Sequence, residues 1–118
     1  MRVWRRAGVQ LIERIADARE ADERVLDHLV RLGCDPAAPR ETHHYLYLPR
    51  EAEAAAVAAL LELDGWQATI GERGSAWLVV ASRVHALTLE SVRRTRVCLE
   101  ALARDHGGLY DGWEATRS

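Results

Sequence analysis

Residues 41–63 read ETHHYLYLPREAEAAAVAALLEL, and the hydrophobic period changes once within them. From Glu41 to Leu48 the pattern has period two, the mark of a strand with two distinct faces. Thr42, His44, Leu46 and Leu48 fall on one side, and His43, Tyr45 and Tyr47 on the other. Pro49 ends the strand and suits the first turn of a helix. From about Arg50 to Leu63 the period becomes helical, with Ala54, Val57, Leu60 and Leu61 expected on the buried face. The many alanines let that helix sit close to a sheet. A strand followed directly by an amphipathic helix opens a βαβ unit.

Working outward, Asp64-Gly65 stops the helix, and Trp66 to Ile70 reads as a short strand with Trp66, Ala68 and Ile70 on one side. Glu72-Arg73-Gly74-Ser75 has turn composition. Ala76 to Val84 is the most apolar run and suits a central strand, paired with the one before it as a hairpin. Thr88 is a good N-cap, and Glu90 favours the dipole of the helix that follows. That helix runs to about His106. Leu89, Val92, Leu99, Leu102 and Ala103 share a face, while Glu90, Arg93, Arg94, Glu100 and Arg104 lie opposite or at its margins. Gly107 stands where a left-handed C-terminal cap belongs. Leu109 to Ala115 completes the pattern as a strand.

Toward the N-terminus, Val9 to Leu32 has helical periodicity, ended by Gly33 and a loop through Asp35-Pro36 and Pro39. The stretch Ala16 to Arg24 is almost wholly polar. The helix is therefore expected to be anchored through its C-terminal half or to break near Ala21. The reading is one domain over residues 1–118: residues 1–8 loosely attached, a helix over 9–33, and a βαββαβ core over 41–115. The fold class is α+β, a ferredoxin-like sandwich with an additional N-terminal helix.

Composition narrows the function classes. The chain has 118 residues, a formal net charge of -2 and a sequence pI near 6.2. A strong nucleic-acid binder would show a basic bias, so direct nucleic-acid binding is not expected. All sixteen basic residues are Arg. No apolar core of a signal peptide follows the basic start, and Ala54 to Leu61 is too short to cross a bilayer. A cytoplasmic location is expected. Cys34 and Cys98 form no CxxC pair, so they read as small buried or half-buried thiols in a reducing compartment.

The chain shows no catalytic machinery. His43 and His44 are adjacent, so a regular strand points them to opposite faces and they cannot share one metal ion. A pairing with His85 or His106 in three dimensions is the remaining route to a metal site. No serine lies in a nucleophile elbow, and Gly71-Glu-Arg-Gly74 precedes a strand rather than a helix, unlike a phosphate loop. No catalytic residue, metal or cofactor is expected. Arg93, Arg94 and Arg96 form the densest basic cluster, salted by Glu90 and Glu100. Tyr45 and Tyr47 are spaced for stacking on a sheet face, but no RNA-recognition signature accompanies them.

Residues 106–114, HGGLYDGWE, are the most distinctive segment. Structurally, Gly107 caps a helix, Gly108 frees the turn and Gly112 permits a bulge. Tyr110 and Trp113 fall on opposite faces of a regular strand and can both be buried only if Gly112 bulges. The segment resembles the signature of the regulator of ribonuclease activity B family. Leu29-Val-Arg-Leu-Gly33-Cys-Asp35-Pro36 is similar to that family's first-helix exit, and the strand bearing His43-His44 to its first strand. The likeness spans roughly Arg24 to Ala115. It implies the ferredoxin-like sandwich with an extra helix, and a non-catalytic protein that binds the endoribonuclease ribonuclease E and restrains RNA decay. The chain departs from the acidic family inhibitor in being nearly neutral and Arg-rich.

The candidate partner-binding residues are His44, Tyr45, Tyr47, Arg93, Arg94, Tyr110, Asp111 and Trp113. The first reading is a regulatory domain with a protein partner, a ribonuclease or RNA-decay component. The alternatives are a ligand-binding module that dimerises through Tyr45 and Tyr47, and a small enzyme with His43 or His44 in a pocket between sheet and helices.

Overall fold

The computed structural model describes residues 18–33, 35 and 37–115. The expectations for residues 1–17 and for Cys34 and Pro36 lie outside the described residues. In chain order the elements are α1 (Ala18–Arg31), β1 (Arg40–Leu48), α2 (Glu51–Leu63), β2 (Gln67–Arg73), β3 (Ala76–His85), α3 (Leu89–Asp105) and β4 (Leu109–Ala115). This is an α+β fold. The four strands form one sheet in the order β2-β3-β1-β4, with every neighbouring pair antiparallel. Each βαβ unit is thus split by a strand of the other.

The period-two pattern of β1 survives intact. Thr42, His44, Leu46 and Leu48 are buried, and the residues between them are exposed or half-buried. Leu46 and Leu48 join Val79 and Ala81 of β3, Ala54, Val57, Ala58 and Leu61 of α2, and Leu99 and Ala103 of α3 in the main core. Each such Leu or Val removed from water contributes roughly 1.5–3 kcal/mol. The opposite sheet face carries Glu41, His43, Tyr45 and Tyr47 in register with Val84, Ser82, Val80 and Leu78.

Several boundaries differ from expectation for local reasons. Glu72 and Arg73 belong to β2, because the hairpin turns on Gly74-Ser75 alone, with Gly74 at φ +59°. Trp66 precedes β2, held by its amide donating to the Leu61 carbonyl. Helix α2 buries Ala58 in place of Leu60, which is 45% exposed. Thr88 caps α3, accepting from the Ser91 amide at 3.2 Å. Gly107, at φ +76°, ends it.

Helix α1 runs unbroken from Ala18 to Arg31, with no interruption at Ala21. It packs on α3 through a small second core of Leu29, Leu87 and Val92. The polar stretch contributes an anchor of its own. Asp22, 4% exposed, accepts from Arg96 Nε at 2.7 Å and from the Trp113 indole N–H at 3.2 Å.

Candidate functional site

Strand β4 departs from regularity at one point. His44 faces Trp113 and Leu46 faces Tyr110, so Asp111 and Gly112 together oppose Tyr45. This is a β-bulge, and Gly112 adopts φ +94°, which a residue with a Cβ rarely tolerates. The extra residue turns Tyr110 and Trp113 to the same side of the sheet. Both rings stack near His44, with centroids 6.0 and 6.3 Å away. One turn earlier Gly108 makes this approach possible. A Cβ there would run into the Tyr47 carbonyl and lie 2.7 Å from Leu48 Cδ1.

Around His44 the bulge completes a cluster of rings. Trp66 meets it edge-on at 5.3 Å and His85 stacks at 5.6 Å. The Arg83 guanidinium sits 3.9 Å over the Trp66 ring, a cation–π contact. The polar bonds within this cluster have a fixed direction. His85 Nδ1 donates to the Ala86 carbonyl at 2.8 Å, since a carbonyl only accepts. Neutral His85 therefore has its lone pair on Nε2, and His44 Nε2 donates to it at 3.4 Å. That leaves His44 Nδ1 as the acceptor of the Tyr110 hydroxyl at 2.8 Å.

The electrostatics agree with a neutral chain. Burial, reinforced by His85, Arg83 and His43, lowers the His44 pKa to about 3. Burial also lowers His85, against the opposing pull of the Ala86 carbonyl, and Arg83 adds to the lowering. Near neutral pH His44, His85 and Tyr110 therefore form an uncharged polar core, with the Arg83 cation at its margin over Trp66. The bond between His44 and His85 is the pairing that strand geometry denies to His43 and His44. Among the described residues no group of three or more metal-ligating side chains gathers.

The outer sheet face is chemically different. His43 Nδ1 hydrogen-bonds the Ser82 hydroxyl at 2.8 Å, and the Tyr45 hydroxyl donates to Glu114 at 2.7 Å. Beside them Glu41, Gly65, Gln67, Ser82, Arg83 and Val84 line a shallow depression of about 360 Å³. Val84 is 61% exposed there.

The eight candidate residues therefore separate into four places. His44, Tyr110 and Asp111 are 1, 5 and 1% exposed, inside the fold. Trp113 is half-buried and tied to α1 through Asp22. Tyr45 and Tyr47, half-buried, lie on the outer sheet face. Arg93 and Arg94 sit on α3, where Arg93 bonds Glu23 at 2.7 Å and exposed Arg94 bonds Glu90 at 3.2 Å. The two tyrosines and the two arginines are on opposite sides of the sheet. Cys98, expected to be packed, is exposed on α3.

Sequence reasoning named His85 only as one of two possible partners of the histidine pair, beside His106, and missed Trp66 and Arg83 as neighbours of His44, because these contacts depend on how distant segments pack. It also missed Asp22 and its pairing with Arg96. A signal for Asp22 existed: it precedes Val25, Leu26 and Leu29 at spacings of three, four and seven, on the buried face of α1.

The family model described as Regulator of ribonuclease activity B matches residues 19–115. That span runs from the second residue of α1 to the last of β4. No curated protein matches the chain. Among the described residues no helix is long and apolar enough to cross a membrane.

Proposed function

Because the chain belongs to the regulator of ribonuclease activity B family, we propose that it acts in the cytoplasm as a non-catalytic binding domain for an endoribonuclease of the ribonuclease E type. The family match over nearly the whole described fold carries this reading. The ring cluster supports it by its chemistry. Its histidines are neutral and their nitrogens are committed to fixed partners, which suits a scaffold better than proton transfer to a substrate.

The binding surface in this reading is the outer sheet face, at Tyr45 and Tyr47 and the adjoining depression edged by Val84. Aromatic side chains beside an exposed aliphatic residue are suitable anchors for a protein partner. The buried members of the candidate set then act indirectly. His44, Tyr110 and the Gly112 bulge fix the path of β4, whose Glu114 holds the Tyr45 hydroxyl.

The test is a cleavage assay with purified endoribonuclease and a fluorogenic RNA substrate, titrated with the full chain. The reading expects cleavage to slow with added protein, and Val84→Asp to lose that effect. Arg94→Glu, on the far side, should keep it. Cleavage unaffected by excess folded protein would overturn the assignment.

A further inference from the structure

The outer sheet face holds a row of polar side chains that docking at Tyr45, Tyr47 and Val84 does not call on. His43 of β1 stands opposite Ser82 of β3, and Ser82 stands opposite Gln67 of β2, so all three point to one side. The Ser82 hydroxyl lies 2.8 Å from His43 Nδ1. Two residues before His43 on the same face, Glu41 sets a carboxylate oxygen 3.6 Å from Nε2 of that ring. A carboxylate only accepts, so its charge favours the ring proton on Nε2 and leaves the Nδ1 lone pair for the Ser82 hydroxyl. Hydroxyl, base and orienting carboxylate stand in the order that activates a serine as a nucleophile.

The other described serines lack that arrangement. Ser91 Oγ is 3.5 Å from His85 Nδ1, but this nitrogen already donates to the Ala86 carbonyl and cannot take a proton. Ser75 sits in the exposed turn at the far end of the β2–β3 hairpin. His43 is within reach of a ligand, its side chain 34% exposed. Glu41, Gln67, Ser82, Arg83 and Val84 line the depression of about 360 Å³, which has room for a small ligand. Val84 gives an acyl chain an apolar wall, and the Arg83 guanidinium gives a phosphate a counter-charge. We propose that Ser82 is an acylation site that takes a small acyl group from an acyl phosphate, with His43 as general base.

In the step, Ser82 Oγ bonds to the acyl carbon while its proton passes to His43 Nδ1. The carbon–oxygen bond to the phosphate breaks, the phosphate leaves with the electron pair, and His43 returns the proton to it. Strands β1 and β3 are both central in the sheet, so their backbone amides are spent on ladder bonds and offer no oxyanion hole. One fixed donor of that kind is worth about 10²–10³ in rate. An acyl phosphate is activated enough to react without it, whereas the serine ester it forms is not. The ester therefore persists, and the site ends as a modified residue rather than a centre of turnover. This fits a non-catalytic domain, and it does not depend on the ribonuclease reading.

The test is incubation of the full chain with acetyl phosphate near neutral pH, followed by mass spectrometry of its peptides over time. The chain has no lysine to compete, and exposed Cys98 and the N-terminus are mapped separately. Ser82 should gain an acetyl group faster than Ser75 or Ser91, and His43→Gln should slow this about a hundredfold. Glu41→Gln should slow it less. Arg83→Gln should slow the reaction with acetyl phosphate more than that with p-nitrophenyl acetate, whose leaving group is not a phosphate. Circular dichroism checks that each variant folds. Acetylation of Ser82 no faster than that of Ser75 and Ser91, or unchanged in folded His43→Gln, overturns the proposal. Steady release of nitrophenol beyond one equivalent overturns the stoichiometric site. Equal slowing of both donors by Arg83→Gln overturns the choice of an acyl phosphate.

Discussion

The Tyr110 hydroxyl donates to Nδ1 of His44 across 2.8 Å, linking β4 to β1 inside the fold. The Gly112 bulge brings the hydroxyl into reach, and the bond's direction is set from the other end, where the Ala86 carbonyl fixes the tautomer of His85 and, through Nε2, that of His44. The most characteristic segment of the sequence thus closes the end of the sheet around a neutral polar core.

Acid should weaken the fold through this core. The folded His44 ring stays neutral down to a pKa of about 3, while the unfolded ring takes up a proton below its ordinary value of 6.5. The neutral ring's contribution is therefore whole above pH 6.5 and is lost as pH falls toward 3. The slope is about 1.4 kcal/mol per pH unit over that window. Urea unfolding at a series of pH values should show this loss, and His44→Leu should flatten that part of the profile while lowering stability at neutral pH.

Asp22 should carry more of the attachment of α1 than its apolar residues suggest. Asp22→Ala leaves the Arg96 guanidinium, 14% exposed, and the Trp113 indole N–H without their shared acceptor. The expected cost is about 2–4 kcal/mol. Amide hydrogen exchange should speed up in α1 first and leave the strands of the sheet protected. Uniform acceleration across all elements would contradict a local tether.

Much of this was legible in the sequence. The switch of period at Pro49, the Thr88 cap and the Gly107 stop place three element boundaries close to where they fall. The condition that Tyr110 and Trp113 share a face only through a bulge at Gly112 is met. What was not legible depends on register and on partners distant in the chain. His85 joins His44 because β3 lies beside β1, and Asp22 is buried because Arg96 and Trp113 reach it from 74 and 91 residues away. Leu60 looked like a core residue because the periodicity of an Ala-rich helix leaves either face open to burial.

Gly108 should tolerate no side chain. The Tyr47 backbone occupies the space of its Cβ, and backbone cannot move aside as a flexible side chain can. Gly108→Ala should cost about 1–3 kcal/mol, read as a lower urea midpoint with unchanged slope. Gly33→Ala, where nothing lies within 4 Å but φ is +86°, should cost less, about 1 kcal/mol.

The most direct test of the central claim is a calorimetric titration of purified ribonuclease E-type endoribonuclease with the full chain and with its Val84→Asp and Tyr45→Ala variants. Saturable binding by the native chain is expected, weakened about tenfold or more by each substitution on the outer sheet face. Binding that is absent, or that persists unchanged in both folded variants, would contradict the account.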